Sequence, residues 1–552
     1  MRHSGILATI LARSLLYATS PNNSRRKDWW IMASKSLFKS FLGKLMPKTD
    51  TVNEAGGVAY AMSPKHTLAQ YAVTGCLNST FYASADMPLA TVLDLVNKVE
   101  LEFIARTAIY ARRSGYMKDL PALLVAVLSA YAPGLFAEVF DRVIDDAKML
   151  RNFVQIVRSG VVGRKSLGTL PKRMVQQWLD ARSDEQLFRG SVGNDPSLAD
   201  VIKMVHPKPK TASRAALYAY LIGRPHDASA LPEIVKQFEA FKRGETKSVP
   251  NVPFQMLTGI EIGNDVWKRI AEDASWQMTR MNLNTFARHE VFKDGQLTRQ
   301  IADRLRNAEL IEKARVFPYQ LMMAFKQIGN TVPGMISDAL QDAMEIAIRN
   351  VPEIAGQVYV FPDVSGSMQS PVTGHRQGAT TAVKCVDVAA LVAAAMVRKN
   401  PSARVIPFEQ DVVAASRLQL NARDSVMTNA KKLASVGGGG TNCSAPLELL
   451  NREKAAGDLL IYVSDNESWV DSNRYNRGTE TMRQWSIFKG RNPKAKLVCI
   501  DIQPYGSTQA KESADILNVG GFSDNVFDVI ALFAKGELGA DHWVGVIEQV
   551  SL

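Results

Sequence analysis

The spacing of apolar residues changes once along this chain, near residue 350, and that change constrains the fold more than any other feature. Before it, apolar residues recur every three or four positions in run after run, broken at Gly and Pro, and strand-like alternation is nearly absent. Leu89–Tyr110 (LATVLDLVNKVELEFIARTAIY) has the helical period, and Leu120–Tyr131 (LPALLVAVLSAY) is apolar on all sides, as a buried helix is. Further helices are expected over 134–158, 172–182, 197–204, 212–222, 231–243, 264–281, 297–306, 318–328 and 334–349. About 300 residues of paired helices suit an α-solenoid of HEAT type, about seven repeats of roughly 40–47 residues. A plain multi-helix domain is the alternative.

Beyond the change, short apolar runs alternate with helices. Strands are expected at Gln357–Phe361 (QVYVF), Ala403–Phe408 (ARVIPF), Asp458–Ser464 (DLLIYVS) and Lys496–Asp501 (KLVCID), with helices over 383–397, 424–435 and 526–533. Unbroken apolar strands separated by helices signify a parallel sheet covered on both faces. About 200 residues suit one doubly wound α/β domain, whose ligand site lies at the carboxyl ends of its strands. The expected organisation is thus a basic, poorly ordered arm over 1–50, an all-α body over 51–350 and an α/β body over 354–552.

Charge follows the same division. Residues 1–350 hold 46 Lys and Arg against 33 Asp and Glu, whereas residues 351–552 hold 20 against 21. A basic body joined to a neutral one points to a polyanion partner, nucleic acid first. Two segments concentrate the cations. Arg158–Arg173 (RSGVVGRKSLGTLPKR) offers Arg158, Arg164, Lys165, Lys172 and Arg173 from a loop broken by glycines and a proline. Lys203–Arg214 (KMVHPKPKTASR) offers Lys203, His206, Lys208, Lys210 and Arg214, stiffened by prolines. Cations, small hydroxyl donors and accessible backbone together are what phosphate binding needs. No helix-turn-helix, RNP or KH signature accompanies them.

The N-terminus adds little. The run Ile6–Ala18 is like a signal h-region but is interrupted by Arg13, and no small-x-small cleavage site follows; Met32 is a candidate alternative start. No stretch of about 18 apolar residues is present, so no membrane span is expected. The cysteines, Cys76, Cys385, Cys443 and Cys499, form no CxxC pair, which excludes a zinc ribbon and suggests a reducing compartment, the cytoplasm.

Three pieces fall at the carboxyl ends of the expected strands. Asp363-Val-Ser365-Gly-Ser367-Met368 follows the first strand, Thr441 follows the glycine run Gly437–Gly440, and Asp465 follows Ser464. Two carboxylates and three hydroxyls, all oxygen, suit a hard divalent cation of the Mg²⁺ type. Alternate spacing at 363, 365 and 367 lets one tight loop present three oxygens to one point. The glycine run is no P-loop, because Thr441-Asn442 stands where Gly-Lys-Ser/Thr is required.

DVSGSM, GGGGTN and the strand-end Asp465 together resemble a von Willebrand factor A domain with its metal-ion-dependent adhesion site, whose five positions fall on Asp363, Ser365, Ser367, Thr441 and Asp465. Asn53-Glu-Ala-Gly-Gly-Val-Ala-Tyr60, Thr80-Phe-Tyr82, Val205-His-Pro-Lys-Pro209, Gly440-Thr-Asn-Cys-Ser444 and Ser464-Asp-Asn-Glu467 extend the resemblance to the Ro 60 kDa autoantigen family, and to its bacterial members in particular. That family joins a TROVE module, a ring of HEAT-like repeats, to a von Willebrand A domain. The resemblance implies binding of small non-coding Y RNAs on the basic outer surface. It also implies capture of single-stranded 3′ ends of structured or misfolded RNA, and partnership with an exoribonuclease, polynucleotide phosphorylase. This chain departs from the vertebrate pattern in a longer, Gly-richer loop at 159–173 and in Leu198, where vertebrate members place a histidine eight positions before His206. The reading that follows is an RNA quality-control ribonucleoprotein without catalysis of its own. Its alternatives are an adhesion or scaffold protein acting through the metal site, and a nuclease using Asp363 and Asp465. A two-metal nuclease needs several clustered carboxylates, and three of these five groups are neutral hydroxyls.

Overall fold

The computed structural model describes residues 46–75, 86–193, 196–257, 260, 262–314, 318–349, 351–372, 383–469, 478–523, 525–539 and 541–552. The N-terminal arm up to Leu45, Cys76 and Thr80–Tyr82 lie outside them. Lys48–Leu552 forms one compact unit.

The α/β body is built on a parallel sheet of five strands. In chain order the strands of the molecule are β1 (Thr51–Val52), β2 (Val58–Ala61), β3 (Val358–Pro362), β4 (Arg404–Val405), β5 (Leu459–Ser464), β6 (Lys496–Asp501), β7 (Ser507–Thr508) and β8 (Ile516–Gly520). The large sheet runs β4-β3-β5-β6-β8, with Val360 opposite Ile461 and Ile461 opposite Val498. Every residue of β3 and β5 is buried, which is why these runs are apolar without alternation. The helix Cys385–Lys399 is buried over almost its whole length, its alanines allowing close approach to the sheet. The strand expected over 403–408 narrows to Arg404–Val405, and Pro407 stands at an edge-strand position whose N–H would face away from β3. Ile406 and Phe408 still donate to Val360 and Pro362 at 2.9 and 3.2 Å.

In the helical body, Asp119–Tyr131 is the buried axis, and Leu101–Arg113, Pro133–Val143 and Ala147–Arg158 pack around it. Phe136, Phe140 and Phe153 meet there with ring centroids 5.2–5.7 Å apart. Three runs expected as single helices are each two. Leu89–Tyr110 divides into Asp86–Leu95 and Leu101–Arg113. The run 134–158 divides at Asp146, whose side chain accepts from Met149 N–H, and 264–281 divides at Ser275, which caps Trp276–Met281. In the last two a capping side chain satisfies the orphan N–H groups of a new helix while the apolar period runs on, since both halves face one core.

The segment 51–75 belongs with both bodies. Strands β1, β2 and β7 form a small antiparallel sheet in which Tyr60 pairs with Thr508. The helix Pro64–Thr74 then packs on β8, and Gln70 donates to the Gln503 carbonyl at 3.0 Å. The last helix, His542–Glu548, returns to pack on Leu101–Arg113. At the other end, Pro318–Gln327 and Gly334–Ala347 pack on Cys385–Lys399 and Val426–Leu433. There Lys326 pairs with the buried Asp387, and Glu345 with Arg398. The helical body therefore begins and ends on the α/β body.

Candidate functional site

Two sites emerge, one in each body. In the α/β body, β3 ends at Pro362 and β5, its parallel neighbour, at Ser464, so Asp363 and Asp465 leave the same edge of the sheet side by side. Asp363 is fully buried; its Oδ1 accepts from Ser365 N–H at 2.8 Å and its Oδ2 from Ser464 Oγ at 2.6 Å. Ser365 Oγ lies 3.3 Å from Ser367 Oγ. The glycine loop seats on the first: Gly366 N–H donates to Gly439 O at 2.7 Å and Gly438 N–H to Val364 O at 2.8 Å. Gly437 is required, since its φ is +92° and a Cβ would collide with Val364. Thr441 is buried at the end of that loop. The Asp363–Met368 loop, the glycine loop and the strand-end Asp465 thus converge.

The electrostatics of this corner are unbalanced. Burial pushes the Asp363 carboxyl up to about 7, with repulsion from Asp465 adding to it, and burial raises Asp465 as well. Among the described residues, no Lys, Arg or His forms an ion pair with either carboxylate. These residues contain no cluster of three or more His, Cys, Asp or Glu, so the donor set is two carboxylates with three hydroxyls rather than a nitrogen–sulfur or polycarboxylate centre. Two buried anions without a counter-charge, ringed by hydroxyl oxygens, fit a hard divalent cation. Ser464, which fixes Asp363, stood in the sequence only as part of a motif and was given no role at the site; its signal is a polar residue closing an apolar strand. Cys385, Cys443 and Cys499 are buried free thiols, pushed up by burial.

In the helical body, the two cationic segments lie side by side. Gln176 Nε2, from the helix Thr169–Asp180, donates to the Val205 carbonyl at 2.6 Å, tying the first segment to the end of the helix Leu198–Val205. Between them runs a groove of about 660 Å³ lined by Arg158, Lys165, Ser166, Thr169, Lys172, Arg173, Gln176 and Met204. Gly168, with φ +72°, starts the helix Thr169–Asp180 without a side-chain cap. The helix's first N–H groups and its positive dipole end therefore open into a groove already lined by cations. Arg158, Lys165 and Arg173 are exposed and Lys172 is half-buried. No ion pair involves these four among the described residues. Lys203, His206 and Lys208 are exposed on the adjoining segment, with His206 in the left-handed conformation that ends its helix (φ 50°). Lys210 is exposed but pairs with Asp180 at 3.0 Å.

Two of the sequence-predicted RNA residues turn inward. Arg164 donates to the Ser129 carbonyl, at the end of the buried helix Asp119–Tyr131, with its guanidinium beside Gly168. Arg214 pairs with Asp184 and donates to the carbonyls of Leu179 and Arg182 at 2.9 and 2.6 Å. Both satisfy carbonyls at helix ends, and Arg214, bonded through all three of its nitrogens, has little hydrogen-bonding capacity left for a ligand. In the first repeats, Arg106 bonds to Val550 O and Arg112 forks onto Asp145, so those two cations are committed as well. Sequence reading missed Gln176 and Thr169; the signal for Thr169 is its place between a helix-breaking glycine and the Leu-Pro that starts the helix.

Residues 357–534 match the protein family described as the Ro60 vWA domain. The chain is 24% identical over 550 residues to the RNA-binding protein RO60 of Deinococcus radiodurans, covering 91% of this chain and 100% of that relative. The crystal structure of the Deinococcus radiodurans RO (RSR) protein matches with a TM-score of 0.58 at 21% identity, over 86% of this chain and 100% of that one. The resemblance to the Ro family drawn from the sequence is thus borne out, as is the fold: a mostly helical first part followed by a von Willebrand A-type domain. No helix among the described residues is long and apolar enough to cross a membrane.

Proposed function

We propose, with a Ro-type chain as the premise, that this protein binds RNA along the groove of its helical body and acts as a non-catalytic ribonucleoprotein. The groove carries the reading: four unpaired cations surround an uncapped helix N-terminus, with Ser166 and Thr169 hydroxyls between them. Phosphate oxygens would take the N–H groups and the cations, and this positions a strand without reading its sequence. Exposed Lys203, His206 and Lys208 extend the track. The finer statement rests on the family resemblance. The RNA is a small Y-type RNA and the single-stranded 3′ ends of structured or misfolded RNA. The setting is quality control, maturation or decay in the cytoplasm, beside an exoribonuclease such as polynucleotide phosphorylase.

The site of Asp363, Ser365, Ser367, Thr441 and Asp465 would hold a divalent cation, Mg²⁺ by its donor set. The ion would supply Lewis acidity and an exchangeable position for a carboxylate from a partner protein. The chain's own part is to fix five oxygens at the end of the sheet and to exclude bulk water by burial. Sequencing the RNA that co-purifies with the full chain tests the reading. A reproducible small structured RNA supports it, and fragments in proportion to cellular abundance contradict it.

A further inference from the structure

The loop Asp465–Trp469 is gripped from two sides. On one side, Cys443 N–H donates to Ser468 Oγ at 3.3 Å and Trp469 N–H to the Thr441 carbonyl at 3.4 Å. On the other side stands a turn from the opposite end of the chain, Asn53–Gly57. Asn53 is buried and uses both ends of its amide: Nδ2 donates to the Ser468 carbonyl at 2.7 Å, and Oδ1 accepts from Gly57 N–H at 2.7 Å. The backbone closes the same turn, Asn53 N–H to Gly57 O at 2.8 Å and Gly56 N–H to Asn53 O at 3.0 Å. Ala55 N–H donates to Glu467 Oε2 at 3.2 Å, while Oε1 of that fully buried glutamate has no hydrogen-bond partner. Contact is so close that a Cβ at Gly57 would strike the Ser468 carbonyl.

We propose that Asn53 is a positioning residue for the cation site, holding the Asp465 loop from behind without touching the ion. This rests on the reading of Asp363, Ser365, Ser367, Thr441 and Asp465 as that site. An amide fixed at both ends is a rigid strut, and the loop needs one. Asn466 sits in the left-handed region at φ 58°, which an asparagine adopts at a modest cost that the surrounding contacts offset. Two residues separate the held carbonyl of Ser468 from Asp465, whose Oδ1 accepts the Glu467 N–H at 3.3 Å. Release of the strut lets both Asp465 and the Thr441 contact drift. The turn also leads straight into β2 and the helix Pro64–Thr74, so the cation site and the start of the helical body share one mechanical element. By reciprocity, an ion that prefers the held loop also tightens the turn.

Calorimetric titration of the full chain with MgCl₂ tests this, wild type against Asn53→Ala. Loss of an outer support of a metal ligand typically weakens binding about 10- to 100-fold, and a drop in that range is expected. Hydrogen exchange on the wild type gives a second readout that a merely structural role would not move. Mg²⁺ should slow amide exchange across 53–57, which contains none of the five donors. Equal Mg²⁺ affinity in Asn53→Ala overturns the positioning role while leaving the cation reading intact. If Asn53→Ala does not fold, the exchange experiment decides alone, and unchanged exchange at 53–57 overturns the proposal. A wild-type chain that binds no Mg²⁺ removes the cation reading and this proposal with it.

Discussion

Replacing Lys172 and Arg173 together by alanine removes two cations from the groove and leaves its backbone donors in place. On single-stranded nucleic acid each neutralised phosphate contributes about −0.7 to the slope of log K against log salt. Two lost contacts therefore flatten the slope by about 1.4. At about 0.1 M salt this corresponds to a roughly 25-fold loss of affinity, shrinking toward nothing as salt approaches about 1 M. Stability should hardly move, because Arg173 is exposed, Lys172 is half-buried and no ion pair is broken; such substitutions stay within about 0.5 kcal/mol. Filter binding of a single-stranded RNA across a salt series, beside a melting curve, reads both quantities. An unchanged slope with a folded double variant refutes the groove as the phosphate track. A parallel downward shift with no change of slope says that the cations act through the fold instead.

Three further outcomes follow from the same geometry. Arg214→Ala should lower stability by about 3 kcal/mol, as breaking one side of a mostly buried ion pair does, with the salt slope of RNA binding unchanged; an altered slope with normal melting returns Arg214 to the RNA site. Asp363→Ala should abolish Mg²⁺ binding in calorimetry while RNA affinity stays within about threefold, since in this account the two sites are independent; loss of an intrinsic RNA-cleaving activity in this variant would establish the nuclease alternative. The third concerns His66 and Glu512, whose Nδ1 and Oε2 lie 3.3 Å apart. Burial pushes His66 down to about 4 and Glu512 up to about 7. Between about pH 4.5 and 6.5 the unfolded chain carries one proton on the histidine and the folded chain one on the glutamate, so the pair adds no pH dependence there. His66→Gln leaves the raised carboxyl alone, and stability should fall by up to about 1.4 kcal/mol per pH unit as pH rises from about 4.5 to 7. Glu512→Gln leaves the depressed imidazole alone, and stability should fall as pH drops from about 6.5 to 4. Melting curves on both variants check the opposite signs; slopes of the same sign would show that burial is not what shifts the two groups.

How much of this was legible in the sequence depends on whether a residue's role is local. The positions of Asp363, Thr441 and Asp465 at the sheet's edge were readable because each follows directly on an apolar strand or a glycine run, with Ser365 and Ser367 in the turn after the first, and a parallel sheet places those junctions along one edge. Arg164 and Arg214 were not: a guanidinium facing a phosphate and one closing a helix end are the same letter, and only the fold shows which carbonyls lie within reach. The helix breaks at Asp146 and Ser275 were hidden by an apolar period that both neighbouring helices share. Strand β1 is two residues long, and β2 finds its second partner at 507–508, some 450 positions away, so no local period announces either. Asn53 stood in a motif quoted for its family likeness, and its strut to Ser468 depends on the same long-range pairing.

The central claim is that RNA lies in the groove between Arg158–Gln176 and Lys203–Lys208. Ultraviolet crosslinking of bound RNA to the full chain, with the crosslinked peptides mapped by mass spectrometry, tests it most directly. The account predicts crosslinks concentrated in residues 158–176 and 203–210. Crosslinks confined to residues 354–552, with the groove peptides unmodified, would contradict it.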